Sequence, residues 1–61
     1  MPIVQIDLLE GRTLDQKRLL VEKVTQAIME STGAPAESIS IILRDMAREN
    51  YAKAGKLASD K

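Results

Sequence analysis

The sequence contains no cysteine and no histidine. Disulfides, thiolate zinc sites, imidazole metal sites and catalysis by either side chain are therefore excluded. Aromatic residues are reduced to Tyr51, with no Phe or Trp, so a base-stacking platform for nucleic acid cannot be assembled. Neither sign of charge dominates. Nine Lys and Arg balance nine Asp and Glu, and the signs are interspersed, which argues against nucleic acid or anionic lipid as a partner. No apolar run approaches the roughly 20 residues of a membrane span, and the first residues lack a basic segment followed by an apolar one. The reading is a soluble, cytoplasmic protein with no membrane partner. There is also little chain: 61 residues make one domain, 1–61, and a chain this short buries only about 60% of its unfolded surface. Without disulfide or metal, association with other copies is the remaining route to stability.

What is present reads as strand, helix, strand. Residues 2 to 9 alternate: Val4, Ile6 and Leu8 share an apolar face with Pro2, while Ile3, Gln5, Asp7 and Leu9 take a mixed one, suited to contact with another subunit or to lining a site. Glu10-Gly11-Arg12 turns the chain. Thr13-Leu14-Asp15-Gln16 is a capping box and predicts a helix over 14–32, with Asp15 complementing its dipole. Leu20, Val24, Ala27, Ile28 and Ser31, flanked by Val21, form its packing stripe; Lys17, Arg18, Glu22, Lys23, Gln26 and Glu30 face elsewhere. Gly33 and Pro35 end it. Ile39-Ser40-Ile41-Ile42-Leu43 is a β-branched run and the second strand. The short connections make a βαβ unit with a right-handed crossover and parallel strands. Two strands and one helix leave a bare sheet face and open edges, which other copies must cover. In residues 46–61, Asn50 and Gly55 predict turns, hence an arm or small hairpin against a neighbour.

Three residues carry possible chemistry. If Met1 is removed, Pro2 presents a secondary amine, which no side chain supplies; taken alone, it is a strand-start proline that needs no ladder donor. Arg12 alone is a solvated turn residue, and Tyr51 alone is an interface packing residue. Together with Leu9-Glu10-Gly11-Arg12, Asp15-Gln16-Lys17, Gly33-Ala34-Pro35, Met46-Ala47 and Leu57-Ala58-Ser59, the Pro2-Ile3 start resembles the 4-oxalocrotonate tautomerase family, over essentially the whole chain.

That resemblance implies an α/β (α+β) fold of tautomerase/MIF-like architecture: a βαβ subunit with a C-terminal arm or hairpin, dimerising into a four-stranded sheet, with three dimers forming a homohexamer. It implies a keto–enol isomerase acting on a small carboxylate substrate, an unsaturated 2-hydroxy or 2-oxo acid such as 2-hydroxymuconate, in aromatic hydrocarbon catabolism, with no cofactor and no metal. Pro2 would be the catalytic base, Arg12 the carboxylate binder, Tyr51 an aromatic neighbour of the proline, and Leu9 the donor of a backbone amide. Many family members carry a second arginine at the start of the second strand, where this chain has Ser40. A hydroxyl replaces neither the charge nor the fork of a guanidinium. Arg44 lies about 13 Å further along the strand and is not that arginine's equivalent, although Ser40 and Arg44 stay candidate substrate-binding residues; Arg48, in the arm, is an alternative.

The chemistry expected of Pro2 is physical as well as familial. An α-amine titrates near about 8 and a secondary amine is more basic, so a base at neutral pH needs apolar neighbours and a nearby cation to lower its affinity for the proton. Arg12 would also bind the substrate carboxylate and stabilise a dienolate. The alternatives are a tautomerase for a monocarboxylic enol acid, a catalytically weak homologue kept for assembly, and a ribbon-helix-helix DNA-binding protein. The apolar face of the first strand and the zero net charge argue against the last.

Overall fold

In a computed structural model describing residues 1–60, the capping box is formed. The Gln16 amide donates to Thr13 Oγ1 at 3.1 Å and the Thr13 amide donates to Gln16 Oε1 at 2.9 Å. Helix α1 runs Leu14–Thr32, the span the sequence predicts. It ends at Gly33, whose φ of 77° is left-handed and whose amide donates to the Met29 carbonyl. A 3-10 turn, Ala36–Ser38, then delivers the chain to the sheet.

Strand β1, Ile3–Leu9, pairs in parallel with β2, Ser40–Met46, in a register running from Ile3 opposite Ser40 to Leu9 opposite Met46. The second strand is thus longer than its apolar run, Ile39 to Leu43, predicts. Its polar end remains strand because Asp7 stands opposite Arg44 and Leu8 opposite Asp45, which keeps the ladder paired beyond the apolar residues. Pro2 lies just outside β1, though its carbonyl accepts the Ser40 amide at 3.0 Å.

The two faces of this sheet have different fates. Val4, Ile6, Leu8, Ile41 and Leu43 lie half-buried, alternating with exposed Ile3, Gln5, Asp7, Ser40, Ile42 and Arg44. On the helix, the half-buried stripe is Lys17, Leu20, Val21, Val24, Thr25 and Ile28. This corrects the expected stripe in two ways. Ala27 and Ser31 are exposed, while Thr25 and Lys17 join the packed side, Lys17 as the ion-pair partner of Asp45 of β2.

No described residue is fully buried, and Ile3 and Ile42 stay 65% and 46% exposed on the uncovered sheet face. The chain exposes 4929 Å², against about 3,900 Å² expected of a monomer of this size. Its radius of gyration is 14.6 Å, where a compact chain of this length would have about 10.5 Å. One helix on one two-stranded sheet is too thin to enclose an interior. Among the described residues, no helix is long and apolar enough to cross a membrane.

Of the expected arm or small hairpin, the structure has the hairpin. After a 3-10 turn, Arg48–Asn50, strands β3, Ala52–Lys53, and β4, Lys56–Leu57, pair antiparallel around Ala54-Gly55. Both turn residues have positive φ, 54° and 79°, the backbone of a two-residue hairpin turn that suits Asn-Gly and burdens Ala. Replacing Ala54 with Asn is expected to stabilise the protein by about 0.5–1 kcal/mol, read as a higher urea midpoint at fixed protein concentration. An unchanged or lower midpoint would mean that the hairpin is not part of the cooperative unit.

Candidate active site

The residues singled out in the sequence separate into two groups at opposite ends of β1. At the strand's beginning stand Pro2, half-buried behind an 89% exposed Met1, and Ser40. The Ser40 amide bond to the Pro2 carbonyl ties these two residues together. At the strand's far end stand Leu9, opposite Met46, and Arg12, in the turn before the helix. The seven residues of β1 rise about 3.3 Å each, so Pro2 and Leu9 of one chain lie roughly 23 Å apart, with Arg12 in the turn beyond Leu9. A single copy does not bring Pro2 and Arg12 together.

Arg12 borders a cleft of about 230 Å³ formed where β1 runs out under the first turns of α1, lined also by Leu8, Gln16, Lys17 and Leu20. The capping box occupies the Gln16 side chain. Lys17 is held by Asp45, which stands opposite Leu8 on the helix side of the sheet. Arg18, just outside, is paired with Asp15 at 3.1 Å. Among the described residues, Arg12 alone of the cleft's two cations has no ion-pair partner. An unpaired guanidinium beside Leu8 and Leu20 can take a carboxylate in two parallel hydrogen bonds.

Reasoning from the sequence missed Lys17 and the cleft it borders. The available signal was the spacing 17, 20, 21, 24, 28, which places Lys17 on the apolar stripe. Arg44 sits on the uncovered sheet face opposite Asp7, away from both groups. Arg48 belongs to a separate polar cleft of about 310 Å³ with Glu10, Ala47, Glu49 and Ser59, where its amide donates to Glu10 Oε2 at 3.3 Å. Tyr51 follows in the arm, 40% exposed, its carbonyl accepting the Ala58 amide at 2.8 Å.

A family model described as "Tautomerase enzyme" matches residues 2–61. The chain belongs to the tautomerase family. The match begins at Pro2. The tautomerase is 53% identical over 60 residues to a 2-hydroxymuconate tautomerase from Bacillus subtilis, covering 98% of this chain and 97% of that one. It is 51% identical over the full length of both chains to a probable tautomerase from Bacillus cereus. Its fold matches the crystal structure of YwhB, a homologue of 4-oxalocrotonate tautomerase, with a TM-score of 0.93 at 52% identity and 98% of each chain covered. The tautomerase is thus an isomerase of the 4-oxalocrotonate tautomerase fold.

Proposed function

We propose that this tautomerase moves a proton along an unsaturated 2-hydroxy acid of the 2-hydroxymuconate type, using the Pro2 nitrogen of one copy and Arg12 of another. The observation carrying this reading is the separation of Pro2 and Arg12 along β1, together with the unpaired outer edge of that strand. A second β1 added antiparallel to that edge would set each Pro2 beside the other copy's Leu9–Arg12. The result is a four-stranded sheet with helices on one side and two equivalent sites.

Met1 projects into solvent, accessible to removal, and the freed Pro2 carries an amine. That amine takes the proton from the substrate's 2-hydroxyl, leaving a conjugated dienolate. The partner's Arg12 holds the carboxylate and disfavours a second positive charge at the resting amine, keeping it ready as a base. The same nitrogen then returns its proton to a carbon of the conjugated chain, giving the 2-oxo acid. One group acting as base and then as acid closes the proton balance with no other participant. The Leu9 amide and Tyr51 would bound the substrate. Packing three such dimers through the uncovered faces would bury Ile3 and Ile42; a 4-oxalocrotonate tautomerase from Chloroflexus aurantiacus, sharing this fold with a TM-score of 0.92 at 22% identity, is described as a heterohexamer.

A second reading concerns substrate class. Ser40, the neighbour of Pro2, is neutral, so the site's unpaired cation is Arg12 and a monocarboxylic dienol meets its needs as fully as a dicarboxylate. Ultraviolet monitoring of 2-hydroxymuconate ketonisation by the chain beginning at Pro2 tests the main reading. Arg12→Ala is expected to lower kcat/KM by about 10- to 100-fold, the worth of a charge-assisted bidentate contact, largely through KM. A variant equal to the parent would remove Arg12 from the mechanism.

A further inference from the structure

The ion pair between Lys17 and Asp45 joins the helix to the sheet at the wall of the Arg12 cleft. Its ends are unequally covered, with side-chain exposures of 26% for Lys17 and 44% for Asp45. Asp45 stands beside Leu8 on the helix side of the sheet, and Lys17 reaches it from the first turn of α1, one turn before Leu20. The ammonium thus lines the same cleft as the Arg12 guanidinium, but its charge is answered from behind.

We infer that Asp45 sets how many carboxylates the cleft accepts: by retaining Lys17, it leaves Arg12 as the single anchor. The inference rests on the proposed role of the Arg12 cleft in substrate binding. A substrate with one carboxylate then satisfies the cleft. A distal carboxylate finds an ammonium already neutralised and loses hydration without gaining a partner. Lys17 and Asp45 are positioning and specificity residues, since neither takes part in proton transfer.

Two single substitutions push selectivity in opposite directions. Asp45→Asn keeps the shape and releases the Lys17 ammonium to the cleft. Lys17→Met keeps the apolar stem and leaves the Asp45 carboxylate facing the substrate. The reading is the ratio of kcat/KM for 2-hydroxymuconate to kcat/KM for the corresponding dienol lacking the distal carboxylate. It is expected to rise about fivefold in Asp45→Asn and fall about fivefold in Lys17→Met, the scale of a partly screened charge contact. The double variant is expected to return near the parent ratio.

A purely structural role would move both substrates together and leave the ratio alone, so loss of overall activity does not obscure the result. Should Asp45→Asn fail to assemble, the fall in Lys17→Met carries the test. A ratio constant within twofold in every assembled variant, with activity still dependent on Arg12, overturns this inference alone. Parent activity indifferent to Arg12→Ala overturns the site on which it rests.

Discussion

A chain that keeps Met1 is expected to lose about 10²- to 10⁴-fold of its tautomerase activity, the usual contribution of a positioned acid–base group. With Met1 in place, the Pro2 nitrogen is an amide without basicity, yet nothing in the strand, the helix or the Arg12 cleft is altered. Chemical synthesis supplies the 61-residue chain with and without its first residue. Equal activity of the two forms would exclude the Pro2 nitrogen as the base.

The Met1-bearing chain, combined with an Arg12→Ala chain that begins at Pro2, tests whether the site spans two copies. The Met1-bearing chain has an intact Arg12, and the Arg12→Ala chain has an intact Pro2 amine. With substrate below KM, each assembly alone is expected to be at least about tenfold less active than the parent. After unfolding together and refolding, random pairing makes half of the dimers mixed, and one site in each mixed dimer unites both intact residues. Recovery of about a quarter of the parent activity is expected from this isologous arrangement. If Pro2 and Arg12 served within one chain, mixing would restore nothing.

Ile42→Lys is expected to abolish assembly and, with it, activity, although Pro2 and Arg12 are untouched. Ile42 is 46% exposed on the uncovered face, beside Gln5 and one strand position from Leu43. Burying it against a second copy contributes about 2 kcal/mol, and a lysine there must instead be buried unpaired or keep the copies apart, at a further cost of several kcal/mol. A chain with no fully buried residue among those described has little stability to lose. Light scattering should report a fall in mass, and circular dichroism a loss of helix at micromolar concentration. Leu19→Lys, at a helix position 52% exposed and remote from the uncovered sheet face, is the comparison and should change stability by no more than about 0.5 kcal/mol. A folded, active Ile42→Lys monomer would show that the uncovered sheet face is not an interface.

Much of the fold was legible because its determinants are local. The Thr13 cap, the Gln16 reply, the left-handed Gly33 and the 3.6-residue stripe lie within a few positions of one another, and each acts on the backbone beside it. The need for partners was legible too, since 61 residues and no cysteine leave few other routes to stability. Sequence alone therefore determined the βαβ order, the helix limits and a turn-bearing C-terminal arm or hairpin, and its family resemblance singled out the candidate residues Pro2, Leu9, Arg12, Ser40 and Tyr51. Tertiary structure decided what depends on register and length. It extended β2 to Met46 through pairing with β1, turned Lys17 inward toward an aspartate 28 residues away, and kept Arg44 on the opposite face. It also set Pro2 and Arg12, ten positions apart in sequence, at opposite ends of β1. An extended strand carries its two ends apart at about 3.3 Å per residue, so residues that look adjacent on paper require two copies to meet.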